Sequence, residues 1–195
     1  MSKSDPASAK KEKNKTIRWV ISIFFITILI SGTIALGSEE LMAHSHIAVA
    51  FVILIFIILL GIVFDIIGVA VTSADEKPFH SMAARKVPGA HESIALLRNA
   101  EKVGSICNDV IGDICGVISG SAAATIATQI ISKFEFSWPR IIGLILSAVV
   151  AGLTVGGKAI GKRFAITSCT KIVFFVGRFI SWFRRIFHVF SKDKS

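Results

Sequence analysis

Apolar residues gather into four long runs, about 18–37, 47–73, 104–132 and 140–161, with polar stretches between them. Each is as long as the roughly 17–25 residues a helix needs to cross a bilayer, or longer. The runs are continuous rather than alternating, so they predict helices and not the strands of a barrel. The expected fold is an all-α membrane protein with about four transmembrane helices.

The polar stretches predict the remaining parts. Residues 1–16 are lysine-rich and predict a disordered basic tail. A short acidic loop, residues 37–46, joins the first two helices. Residues 74–103 hold two short helical patterns, Phe79, Met82 and Ala83, then Ile94, Leu96 and Leu97, broken at Pro88-Gly89. They predict a helical hairpin at the cytoplasmic surface. A loop around Trp138 joins the third and fourth helices on the external side. After residue 162 the pattern changes. Lys171, Arg178, Arg185 and Lys192 recur every seven residues, with Phe174, Phe175, Phe179, Trp182, Phe183, Ile186, Phe187 and Phe190 covering the rest. A fifth spanning helix would bury Arg178 near its middle. The stripe instead predicts an amphipathic interfacial helix, about 164–190, within a basic tail 163–195.

Composition agrees. The chain is 53% apolar, with 15 Phe, no Tyr and only 4 Pro. Its mean hydropathy of +0.71 is too high for a soluble domain. The net charge of +9 is concentrated at the ends, with six basic and two acidic groups in residues 1–18 and eight basic and one acidic in 161–195. These segments flank membrane helices, so they predict cytoplasmic termini and contact with anionic lipid, not nucleic-acid binding. The plasma (inner) membrane is the expected location. Ala35-Leu36-Gly37 resembles a cleavage site, but the long leader before the apolar core favours an uncleaved anchor. Cys107 and Cys115 lie about 12 Å apart along one helix and cannot bridge. Buried, reduced thiols are expected. His44 and His46 make a possible metal pair, though exposed loop histidines are usually only polar.

The apolar runs contain acids. Asp65 interrupts the second helix, and Asp109 and Asp113 the third. A carboxylate near a bilayer centre costs about 2.5–3.5 kcal/mol on insertion scales and usually marks function. No lysine or arginine lies in either run, so a bound cation or a proton would balance the charge. Asp65 lies about 12 Å, and Asp109 and Asp113 about 7–14 Å, from the hairpin ends of their helices. A row at four-residue spacing, Gly104, Asn108, Gly112, Gly116, Gly120, Ala124 and Thr128, predicts a close helix contact. The fourth helix has Ala148, Gly152 and Gly156 at the same spacing. The acids beside the row are expected to face the bundle.

The order of these parts is similar to the membrane domain of the CorB/CorC and cyclin-M magnesium transporters, over about residues 47–185. A family phrase F-S-x-x-E-x-A-L-x-S is matched by Phe64-Asp65-Ile66-Ile67-Gly68-Val69-Ala70-Val71-Thr72-Ser73. The hairpin pattern is matched by Arg85, Lys86, Gly89, Ile94, Leu96 and Leu97. The opening I-G-N-x-x-x-N is matched by Ile106-Cys107-Asn108-Asp109-Val110-Ile111-Gly112. The close of the last helix, G-E-x-x-P-K-A-x-A, is matched by a lysine-alanine pair in Gly157-Lys158-Ala159-Ile160-Gly161-Lys162. Asp65 stands for the family serine, Gly68 for its glutamate and Gly112 for its second asparagine. The resemblance implies a homodimer and magnesium as the ion, in a form without the family's cytosolic regulatory modules.

Two functional readings follow. In one, Asp65, Asn108, Asp109 and Asp113 form a metal site for a cation, with Mg2+ the expected ion, which is bound or transported. Ser105 or Thr72 would add hydroxyls, since magnesium takes oxygen ligands and keeps several waters. In the other, the chain is a non-transporting scaffold or partner subunit in which the acids only hydrogen-bond between helices. An enzyme is not expected, because the runs hold neither a zinc motif such as H-E-x-x-H nor a nucleophile–base constellation. His80 and His91 are expected to be solvated or lipid-facing.

Overall fold

The structure, a computed structural model, describes residues 6–43, 45–134 and 139–192, with side chains for 17–42, 45–133 and 140–186. It is an all-α membrane protein. The helices are α1 (Pro6–Ala43), α2 (Ile47–Ser73), α3 (Lys77–Ala84), α4 (Ala90–Arg98), α5 (Ala100–Ser105), α6 (Gly112–Phe134), α7 (Pro139–Thr167) and α8 (Cys169–Lys192). A π-helical turn, Ile106–Ile111, joins α5 to α6 without a break. Among the described residues, four stretches are long and apolar enough to span: Ile17–Met42, Ile47–Ser73, Ala100–Lys133 and Arg140–Thr167.

Several boundaries differ from the sequence pattern. α1 begins at Pro6, so the lysine-rich stretch after it is a helical extension of the span rather than a disordered tail. It also continues through Glu39 and Glu40 to Ala43, because Glu, Leu, Met and Ala propagate a helix and the lone Gly37 costs only about 1 kcal/mol. The first loop is therefore shorter than expected. α7 runs on to Thr167, past Gly161, and α8 starts at Cys169. His44 and the loop around Trp138 lie outside the described residues. His46 is exposed.

α2 is the central helix, packed against the α5–α6 rod, α7 and α8. Its run is apolar all round, as suits a helix facing protein on one side and lipid on the other. Ala50, Leu54 and Ile58 meet Ala122, Ala123 and Ile126 of α6 and Val150 of α7 at the end far from the hairpin. At the hairpin end Ala70 and Val71 join Phe79, Ile94, Leu97, Ala165 and Val173. α1 lies to one side, where Ile23 and Ala35 touch Val110, Ile114 and Ile118.

α3 and α4 form two short helices, and the third span begins at Ala100, earlier than the expected 104. The Asp75 carboxylate accepts from the Lys77 amide at 3.2 Å and starts α3. The break before α4 ends on Gly89, whose φ of +93° suits a residue without Cβ. A side chain there would also meet the Arg178 backbone at 2.7 Å. α8 rests on this turn through small residues. Ser93, fully buried, donates to the Gly89 carbonyl at 2.8 Å and lies 3.3 Å from the Val173 carbonyl. Gly177 faces the same spot, and a Cβ on it would meet the Gly89 carbonyl at 2.7 Å. α8 thus buries a small-residue stripe and leaves Phe175, Phe179, Trp182 and Phe183 exposed.

Candidate functional site

The seam between α2 and the α5–α6 rod is closed by glycines. A Cβ at Gly61 would meet Cys115 Cβ at 2.8 Å, and one at Gly104 would meet Thr72 Cγ2 at 2.7 Å. Between them Gly68 leaves room for the Asn108 amide, which any larger residue would displace. Asn108 sits in the π-helical turn, where the Gly112 amide bonds back to the Cys107 carbonyl. A π-turn inserts one residue into a helix, often at functional sites. Here it presents the Asn108 side chain to α2.

Asp65 lies one turn before Gly68 on α2 and is 4% exposed. Its Oδ2 and the Asn108 Oδ1 are both buried and have no hydrogen-bond partner among the described residues. Gln129 Oε1 is a third such atom, at the far end of the bundle, where the Gln129 amide nitrogen donates to the Met42 carbonyl at 2.7 Å. Both oxygens are hard, and they lie on neighbouring helices of the bundle with no donor among the described residues. An ionised carboxylate left unpaired there would cost several kcal/mol.

The other two acids are not enclosed in this seam. Asp109 is exposed, and the Asp113 side chain is 75% exposed. The expectation that both face the bundle is therefore corrected. α6 buries Ile114, Cys115, Ile118, Ala122 and Ile126, and Asp113 stands outside that sector. Among the described residues no group of three or more His, Cys, Asp or Glu side chains is placed to hold a metal. The small-residue row divides in the same way. Four residues overshoot a 3.6-residue turn, so the row winds round the helix at about 40° per step. Gly104 and Gly112 are enclosed, but Gly116 and Gly120 have nothing within 4 Å of where a Cβ would stand.

Lys158 enters the sequence reading only through the lysine-alanine pair, which does not show its contacts. It is a lone cation near the end of the fourth apolar run, beside Gly156 and Gly157. On α7 it is 21% exposed, reaches across to α6 and donates to the Gly112 carbonyl at 3.2 Å. Its Nζ stands 4.0 Å from Asp113 Oδ1. The sequence does contain a positive charge for one of the intramembrane acids, supplied by a different helix. α7 comes this close because Gly157 and Gly161 receive Ile62 and Ile66 of α2.

No protein-family model matches the sequence, and no characterised protein or solved structure matches it either. The resemblance to the CorB/CorC and cyclin-M membrane domain rests on the quoted phrases alone.

Proposed function

We propose that this integral membrane protein binds a cation between Asp65 and Asn108 and moves it across the bilayer, with its termini and hairpin in the cytoplasm. One observation carries the reading: a buried carboxylate oxygen on α2 and a buried amide oxygen on the π-helical turn packed against it are both without donors among the described residues. With a single carboxylate, a bound ion would complete its shell from water and backbone carbonyls, as magnesium commonly does. The resemblance favours magnesium.

The test is thermal unfolding of purified protein with magnesium, manganese, calcium or sodium, followed by cation uptake in vesicles. An ion at a hundred times its Kd should stabilise the fold by about 2.7 kcal/mol. Asp65→Asn should abolish that gain and Asp65→Ala should abolish uptake, while Asp109→Asn and Asp75→Asn should change neither. If none of the four cations affects wild-type protein, the cation reading fails.

A second reading is favoured by the position of Lys158, which neutralises Asp113 without any bound ion. In it, the buried acid serves only polar contacts between helices, and the chain is a scaffold or partner subunit. Asp65→Asn would then be as stable as wild type at every cation concentration.

Either reading is compatible with a homodimer, which we include in the proposal. Asp113 is mostly exposed on a spanning helix, and Gly116 and Gly120 beside it are open. A second copy laid on this face would remove the acid from lipid and close the glycine contact.

A further inference from the structure

We propose that the cleft between the α3–α4 turn and α8 binds the phosphate headgroup of an anionic phospholipid, whose acyl chain follows α8 into an apolar groove beside α2. The cleft, about 490 Å³, is lined among others by Lys86, His91, Glu92, Ser181, Arg184 and Arg185. Three fixed cations therefore face one acid. None of Lys86, Arg184 and Arg185 has an ion-pair or hydrogen-bond partner for its side chain among the described residues. The turn that carries Lys86 is held by the bonds from the Lys86 amide to the Ala83 carbonyl and from the Val87 amide to the Met82 carbonyl. It keeps Lys86 at φ +57°, a region that residues with side chains rarely adopt.

The apolar part shares lining residues with the charged part. Arg184 also borders a shallow groove formed by Phe179, Ile180 and Phe183. Phe179 and Ile180 in turn line a groove of about 910 Å³ that reaches Val63, Phe64 and Ile67 of α2. A soluble phosphate would fill only the cleft. A phospholipid would fill both, with its phosphate on the arginines and a chain along the phenylalanines. The exposed aromatic face of α8 sets the depth, since Trp and Phe of an in-plane helix lie at the headgroup boundary. A zwitterionic headgroup carries its own cation into a cleft that already holds three, so charge complementarity selects an anionic lipid.

The experiment is native mass spectrometry of the full-length protein in neutral detergent, titrated with phosphatidylglycerol, phosphatidylcholine or inorganic phosphate. Phosphatidylglycerol should bind at least about tenfold more tightly than phosphatidylcholine, and inorganic phosphate far more weakly than either. Changing Lys86, Arg184 and Arg185 together to Gln should weaken phosphatidylglycerol about a hundredfold, at about fivefold per charge. Lys102→Gln, outside the cleft, should leave it unchanged. Val63→Trp, which fills the groove without altering charge, should weaken both lipids and spare any binding of phosphate; it keeps the test decisive if the triple variant misfolds. Equal affinity for the two lipids overturns the proposal. So does an unchanged triple variant, or inorganic phosphate binding as tightly as the lipid.

Discussion

Asp65 and Asp113 are both aspartates in spanning helices, each close to a glycine, yet their surroundings are opposite. Asp65 is 4% exposed in a seam where the glycines are filled by Cys115, Asn108 and Thr72. Asp113 is 75% exposed on an outer face where a Cβ on Gly116 or Gly120 would meet none of the described residues within 4 Å. The inner acid has an oxygen with no donor among the described residues, and the outer acid has a lysine 4.0 Å away. Residue type and spacing are the same in both regions. The difference comes from which sector of the helix the acid occupies, and that is set by tertiary packing.

The largest expected effect comes from placing the same side chain in each region. Gly68→Leu must displace Asn108 and separate α2 from the π-helical turn. Overpacking of this kind typically costs about 1–3 kcal/mol, and with the buried Asn108 amide oxygen in the way the upper end is expected. Gly120→Leu meets open space within the protomer and should leave the unfolding temperature in dissociating detergent unchanged or slightly raised, since Leu is the better helix former. In milder detergent, analytical ultracentrifugation should show Gly120→Leu with less dimer than wild type. Equal destabilisation by the two variants would erase the distinction between the faces. An undiminished dimer would remove the outer face as its contact.

Much of this arrangement is legible in the sequence. The run around α2 reads as a span because Asp65 is the only charged residue in it. The hairpin reads from Pro88-Gly89, and Gly89 does adopt the left-handed turn. Asn108 stands out within the small-residue row, and it is the residue that reaches α2. What is hidden is geometric. The π-helical turn has no signature in ICNDVI; what the structure adds is that Asn108, within it, packs against Gly68 on another helix. The winding of the glycine row is hidden when spacing is counted in fours. The contacts of Lys158 are hidden because its partners lie 46 and 45 residues earlier in the chain, on another helix. Only the packing of Gly157 and Gly161 on α2 brings it there.

Lys158 is the point where the two regions meet, so removing its charge gives an intermediate effect. Lys158→Met keeps most of the stem and loses the donor to the Gly112 carbonyl at 3.2 Å. A hydrogen bond to a charged donor contributes about 1.5–3 kcal/mol, and the partial exposure of Lys158 places the loss near the lower end. The Gly112 carbonyl belongs to the turn that follows Asn108, so the variant should also loosen the inner seam. Amide exchange at residues 108–112 should accelerate with the fall in unfolding temperature. Stability lost without faster exchange there would confine Lys158 to the outer face.

The smallest effect is expected at the outer acid itself. Asp113→Asn removes a carboxylate 4.0 Å from Lys158 but leaves the lysine its carbonyl acceptor. An exposed ion pair at that separation contributes about 0–1 kcal/mol. Two influences oppose each other, because Asn is also less costly than Asp on a lipid-facing surface. Unfolding in detergent should therefore shift by less than about 0.5 kcal/mol, whereas reconstitution into bilayers should leave the variant equal to wild type or more stable. A marked loss of stability in bilayers would mean that Asp113 is enclosed there, by water or by a second copy. The outer face would then be a buried site like the inner one, and the contrast between the two aspartates would hold only for the isolated protomer.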